Sequence, residues 1–231
     1  MLPKITSPEV GRPDVAVLPV GSFEQHGPYL PLATDTIIAT EIARRAADAY
    51  GLLLLPPVTF SCSHEHSAFP GTVSISASTL AHVIEDVSAD LARGGVERLV
   101  VVNGHGGNAV LTNVVQQANV ARRRMALAPT SHHWTAAREA AGCGATTHQD
   151  MHAGEAETSI LLAIAPELVR PGWESGDCEA DDRSLLTLVG MEGYTDSGVI
   201  GRPSLASAAK GAALLASLVG QLGEVVEFLR K

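Results

Sequence analysis

The sequence predicts a single α/β domain of three layers, with a mostly parallel sheet between two layers of helices. Three observations carry that expectation. Strand-length apolar runs alternate with helix-length amphipathic stretches along the chain. The runs are apolar throughout rather than alternating, which is how strands covered on both faces read. Composition suits one core spanning residues 1–231, with 45% hydrophobic residues, 18% charged residues and a mean hydropathy of +0.16.

The elements follow in order. Val15-Ala16-Val17-Leu18-Pro19-Val20 reads as a buried strand that stops at Gly21-Ser22. Thr36 to Tyr50 reads as a helix, because Ile37, Ile38, Ile42, Ala46 and Ala49 recur at helical spacing, with Asp35 or Thr36 as the cap. Leu52 to Leu55 is a second buried strand. Ser78 or Thr79 opens a helix with Leu80, Val83, Ile84, Val87 and Leu91 on one face, closed by Gly94-Gly95. Leu99 to Val102 is a third strand, broken off by Asn103-Gly104-His105-Gly106-Gly107-Asn108. Ala109 to Arg124 reads as a helix whose last residues, Arg122 to Arg124, complement its dipole. Met125 to Ala128 is a fourth strand, followed by His132-His133-Trp134, which suits pocket lining or packing. Glu155 to Ile164 is helical, with Pro166 beyond it. Residues 171–203, rich in Gly, Asp, Glu and Ser, read as a surface excursion. A last helix runs from about Ser204 to Leu229.

Several function classes are disfavoured. Sixteen basic against 25 acidic residues give a net charge of −9, which does not suit a nucleic-acid phosphate backbone. No apolar run approaches the roughly 20 residues of a membrane span, so no membrane partner is expected. Met1-Leu2-Pro3-Lys4 lacks the apolar core of a signal peptide. Cys62, Cys143 and Cys178 cannot close a set of disulfides, and a reducing cytoplasm is the expected setting.

Chemistry in open α/β sheets sits in the loops after the carboxyl ends of strands. The first such loop carries Glu24, His26 and Asp35. Glu and His two apart in an extended segment point the same way. A carboxylate, an imidazole and a carboxylate suit Zn²⁺, Mn²⁺ or Fe²⁺. The same spacing also fits a polar loop whose Asp35 merely caps the next helix. His105, among three glycines after the third strand, becomes a candidate fourth ligand once it stands beside the first loop. His152, Glu155 and Glu157 stand at a helix start, where acids also complement the dipole. His64-Glu65-His66 reads as substrate lining or surface. Cys62 gives little support to a catalytic thiol, and no G-x-S-x-G elbow offers a serine nucleophile.

Four ordered motifs between residues 15 and 170 resemble the creatininase family of amidohydrolases. They are Pro19-Val20-Gly21-Ser22-Phe23-Glu24-Gln25-His26-Gly27-Pro28 through Asp35, Glu65-His66 with Phe69-Pro70-Gly71-Thr72, Asn103 to Asn108, and His152-Ala153-Gly154-Glu155 with Glu157-Thr158-Ser159. The compact length and motif set are most similar to the peptidase branch that serves mycofactocin biosynthesis; formylpyrimidine deformylases share the motifs. The resemblance implies a two-metal amide hydrolase on a creatininase-like α/β/α fold, assembled as a homo-oligomer. It implies two divalent ions per chain (Zn²⁺, Fe²⁺ or Mn²⁺), with Glu24 and His105 on one, His26 on the other and Asp35 bridging. Where creatininase has a metal-binding Glu two residues after the loop histidine, this chain has Gly107, so Glu155 is the expected replacement. His152 is the expected acid for the leaving nitrogen, and Glu157 orients it or takes a proton from water. The expected substrate is a small modified peptide, cut at its C-terminal dipeptide-derived piece. A small amide metabolite, opened by a deformylase or cyclic-amide hydrolase, is the alternative. A metal-stabilised binding subunit without catalysis is the alternative of another class.

Overall fold

The computed structural model describes residues 3–231; Met1 and Leu2, part of the N-terminal stretch read above, lie outside the described residues. Strands β1 (Val15–Val20), β2 (Leu53–Leu54), β3 (Arg98–Asn103) and β4 (Met125–Ala128) form one parallel sheet in the order β2-β1-β3-β4. Successive side chains of a strand point to opposite faces, and the core divides accordingly. Val15, Val17, Val100 and Val102 face helices α1 (Thr34–Tyr50), α5 (Glu155–Ile164) and α7 (Ala208–Arg230). Ala16, Leu18, Val20, Leu99 and Val101 face α2 (Ala77–Arg93) and α3 (Val110–Ala118). Burial on both faces explains the unbroken apolar runs. Pro19 is tolerated in β1 because its carbonyl takes Val58 N–H beyond the end of β2, where no ladder bond is required of its own nitrogen.

Several elements depart from the sequence expectation. The second strand shrinks to two half-buried residues at the sheet edge. Helix α1 starts at Thr34, so Asp35 lies inside its first turn and is not the cap. Ser76, not Ser78 or Thr79, caps α2 by accepting Thr79 N–H. Helix α3 stops at Ala118 because the Asn119 side chain accepts Arg124 N–H at 2.8 Å and Met125 N–H at 3.0 Å, turning the chain into β4. The three arginines therefore lie past the helix: Arg122 pairs with Glu97, and Arg123 stacks over Phe228. Helix α4 (Ser131–Ala141) covers the segment left open as pocket lining or packing, with His133 Nδ1 accepting Thr130 N–H at its start.

The excursion at 171–203 holds only short turns and α6 (Leu186–Val189), yet it does not stay on the surface. Ile200 is buried and exchanges backbone hydrogen bonds with His152. The C-terminal helix α7 is, by length and composition, apolar enough to cross a membrane, contrary to the reading of the sequence. Its apolar face is occupied here against α5, α4 and α1.

Candidate metal centre

The site forms where the loops after β1 and β3 meet the start of α1. Ser22 Oγ donates to Asp35 Oδ2 at 2.8 Å, fixing that carboxylate inward. Gly104 lies against the same turn: a Cβ there would stand 2.6 Å from the Asp35 carbonyl, so only glycine permits the approach. Asn108 ties the β3 loop to the segment after β2, its Oδ1 accepting Cys62 N–H at 3.1 Å. The turn before α5 delivers the last residues. Asp150 accepts Glu155 N–H, Ala156 N–H and Arg138 Nη2, and so anchors the helix start. Ala153 is held at φ 54°, and its N–H donates to Glu157 Oε2 at 2.6 Å. That left-handed conformation is costly for alanine and persists because the surrounding bonds over-determine it.

The result is a buried cluster. Ligand atoms of Glu24, Asp35 and His105 lie within 4.8 Å of one another, as do those of His26, Asp35 and Glu157, and those of Glu24, His26 and His152. Hydrogen-bond accounting fixes the tautomers of three imidazoles, because a backbone carbonyl can only accept. His26 Nδ1–H donates to the Glu24 carbonyl at 3.1 Å, His105 Nε2–H to that of Cys62 at 2.8 Å, and His152 Nε2–H to that of Gln25 at 2.6 Å. The other nitrogen of each ring is turned toward a carboxylate. His26 Nε2 is 3.1 Å from Asp35 Oδ1, His105 Nδ1 is 3.1 Å from Asp35 Oδ2, and His152 Nδ1 is 3.8 Å from Glu24 Oε1. A lone pair facing a carboxylate oxygen needs a positive charge between them, either a proton or a divalent ion. Both oxygens of Glu24 are buried without a hydrogen-bond partner. An orphaned buried carboxylate is costly unless a cation meets it, so the residues present fit a metal.

The ionisation directions tell the same story. Burial works against charging His26, but Asp35, Glu157 and Glu24 outweigh it and push its pKa up to about 9. Burial likewise opposes charge on His105, and Glu24 and Asp35 hold its pKa well above the usual value. Asp35, despite burial, is held well below the usual carboxylate range by His26 and His105. His152 goes the other way: burial, then His26 and His66, keep it neutral. Burial lifts Glu157 to about 7, against the pull of His26.

Of the residues expected from the sequence, Glu24, His26, Asp35, His105, His152 and Glu157 converge on this point. Glu155 does not. It is fully buried, but its carboxylate turns away to accept Gly144 N–H, Ala145 N–H and Lys210 Nζ, the last at 2.5 Å. Two helical positions further on, Glu157 stands on the cluster side, 4.0 Å from His26 Nε2. His64, Glu65 and His66 do line the cavity, as expected, and three residues outside the expected ligand set, Gln25, Glu65 and His66, also reach the cluster. Gln25 Oε1 accepts Gly27 N–H, so Gln25 Nε2 must donate to Gly198 O and to His66 Nδ1. His66 therefore carries its proton on Nε2, 3.3 Å from Glu24 Oε1. Glu65 lies 3.4 Å from His105 Nε2. Their motif was the available signal; its H-x-H spacing hid that Glu65 and His66 face the cluster while His64 is exposed.

A cavity of about 650 Å³ opens over the cluster. Asp35, His66, His105, His152 and Glu157 form its floor, and Leu186, Leu188 and Val189 of the excursion form an apolar wall. A second cavity, of about 420 Å³, lies past the glycine loop and is lined by Trp134 of α4.

Buried imidazoles with locked tautomers, carboxylates aimed between them and an open cavity above form a site of the kind that metal-dependent hydrolases use. The family model described as creatinine amidohydrolase matches residues 3–226. A mycofactocin precursor peptide peptidase from Mycobacterium ulcerans (strain Agy99) is 37% identical, over 88% of this chain and 80% of its own length. A crystal structure of creatinine amidohydrolase (creatininase) superposes with a TM-score of 0.82 at 26% identity, covering 96% of this chain and 95% of its own. Further creatininase structures of the same fold are described as a Zn–Zn form and as a Mn form. The chain belongs to the creatininase family of amidohydrolases, which act on carbon–nitrogen amide bonds.

Proposed function

We propose that this chain is a two-metal peptidase that removes the modified C-terminal piece of a small precursor peptide. The observation that carries the metal assignment is Asp35, whose two oxygens face His26 and His105 at 3.1 Å each. Glu24, Asp35 and His105 would hold one ion and His26, Asp35 and Glu157 the other, with Asp35 bridging. Bound divalent ions would supply Lewis-acid activation of water and of the amide carbonyl.

The remaining chemistry belongs to the chain. His152 starts neutral, with Nε2–H held by the Gln25 carbonyl and the Nδ1 lone pair turned inward. It would take on Nδ1 the proton released by the attacking water and pass it to the leaving nitrogen as the carbon–nitrogen bond breaks; burial, which disfavours its cation, favours that transfer. Glu157 is fixed on one oxygen by Ala153 N–H. The cavity volume and its apolar wall suit a peptide end with an apolar side chain, and the 37% identity to a peptidase supports that choice of substrate. Exposed Phe60, Val73 and Phe228 suit burial in a homo-oligomer. Three free cysteines suit a reducing cytoplasm.

The test is metal analysis of the purified protein, followed by incubation with a synthetic peptide bearing a modified C-terminus, with creatinine and with a formylated aminopyrimidine. Release of the C-terminal piece, seen by mass spectrometry, with about two ions per chain is the expected result. Preferential opening of creatinine or loss of formyl would replace the substrate assignment. Full metal with no hydrolysis of any amide would favour a binding subunit. In Asp35→Ala both ions should be lost; full occupancy in that variant would remove the bridging role.

A further inference from the structure

Gly107 sits where no side chain fits. A Cβ built there falls inside contact distance of Glu65 Oε1 and of His105 Nε2, and 2.6 Å from the Cys62 carbonyl. The space above this glycine is filled by a carboxylate from a different loop. Glu65 belongs to a single helical turn, His64–His66, after β2. That turn is backed from the other side by Gly190, where a Cβ would lie 2.9 Å from the Glu65 carbonyl. Gly107 and Gly190 thus leave room for the turn on both sides, and its acidic side chain points at the cluster. Glu65 Oε1 is 3.4 Å from His105 Nε2 and 4.0 Å from His66 Nε2.

Both of those nitrogens carry protons. His105 Nε2–H is directed at the Cys62 carbonyl at 2.8 Å, and His66 Nε2 is the protonated nitrogen because Gln25 Nε2 donates to its Nδ1. Glu65 therefore faces two N–H groups and no lone pair. It is placed as an acceptor behind the ligands, where a carboxylate fixes ring orientation and raises the basicity of the ligating nitrogen.

We propose that Glu65 is a positioning residue of the metal centre, acting through His105, and that residue 107 is glycine because the Glu65 carboxylate, the His105 ring and the Cys62 carbonyl together occupy the space a side chain would take. The proposal rests on the two-metal reading above and adds to it a carboxylate that acts without ligating.

The experiment is titration of the chelator-treated full chain with Zn²⁺, following each binding step by calorimetry, with thermal melts of the metal-free proteins as the control for folding. In Glu65→Gln one binding step should weaken by about 10–100-fold, the usual cost of losing such a partner, while the other is unchanged. Gly107→Ala should weaken the same step, because its methyl group would press on Glu65, on the His105 ring and on the Cys62 carbonyl that orients it. Wild-type steps in Glu65→Gln would overturn the proposal and leave the two-metal reading standing. A wild-type chain that takes up no Zn²⁺ would remove both. If Gly107→Ala does not fold, Glu65→Gln alone decides.

Discussion

Glu155→Gln separates a structural acid from a metal ligand by magnitude. The carboxylate is wholly buried, accepts two backbone N–H groups at 3.0 and 2.9 Å and pairs with Lys210 Nζ at 2.5 Å. Glutamine keeps one acceptor oxygen, loses the ion pair and turns an NH₂ toward groups that are themselves donors. Breaking a buried pair costs about 3–5 kcal/mol. The Lys210 side chain is 25% exposed and keeps the Leu205 carbonyl as a partner, so part of its charge is resolvated. The expected loss is therefore about 2–4 kcal/mol. Urea unfolding of the metal-free protein measures it, and Lys210→Met closes a double-mutant cycle whose coupling should be on the order of 1–3 kcal/mol. Metal stoichiometry should be unchanged in both variants once they are folded. Loss of one ion from Glu155→Gln without loss of stability would refute the structural role and restore the acid to the ligand set.

Three further outcomes are expected. His152→Ala should retain both metals and lose about 10²–10⁴-fold in turnover; loss of metal along with activity would make His152 a ligand. In the metal-free protein His26 titrates near 9, above its unfolded value of 6.5, so its stabilising contribution is complete below pH 6.5 and disappears as pH rises through 9. The 2.5-unit difference corresponds to roughly 3 kcal/mol, His105 acts in the same direction, and unfolding midpoints that do not fall between pH 6.5 and 9 would contradict the assignment. Light scattering at micromolar concentration should give a particle larger than the 24.0 kDa chain, and a monomer would remove the oligomer.

The sheet was legible because its strands are buried on both faces, so Val15–Val20 and Leu99–Val102 read as unbroken apolar runs. Helix ends were less legible. The end of α3 depends on one Asn119 side chain reaching ahead to Arg124 and Met125, a bond that periodicity does not register. Helix α4 was missed because polar and aromatic residues crowd its first turn, where His133 serves as part of the cap. At the site, residues in the two strand-end loops could be named, since topology brings those loops together. The choice between Glu155 and Glu157 could not be read the same way. Two positions on a helix are about 200° apart, so the two carboxylates diverge, and which one faces the cluster depends on how α5 packs against α7. Lys210, on α7 and 55 residues further along the chain, takes Glu155.

The segment Glu24-Gln25-His26 explains why so much of this site is built on the loop after β1. Side chains at 24 and 26 point to the same side and enter the cluster. Their backbone then does what separate side chains do in many metal sites. The Glu24 carbonyl fixes the tautomer of His26, and the Gln25 carbonyl fixes that of His152, which comes from 127 residues further along the chain. The Gln25 side chain, with its oxygen committed to Gly27 N–H, fixes His66 in the opposite sense, proton inward. One tripeptide thus sets two imidazoles as lone-pair bearers and a third with its protonated nitrogen 3.3 Å from Glu24 Oε1. Substitutions at Gln25 should for that reason disturb His66 and leave the carbonyl-held His26 and His152 in register, although His152 makes tilted ring contacts with both His26 and His66, at centroid spacings of 4.2 and 4.4 Å. The division of labour is physical: these backbone carbonyls belong to a loop held by Glu24 N–H on the Leu32 carbonyl and Gln25 N–H on Thr72 Oγ1 and do not change with sequence, whereas the one side-chain anchor is free to vary with the chemistry required of His66.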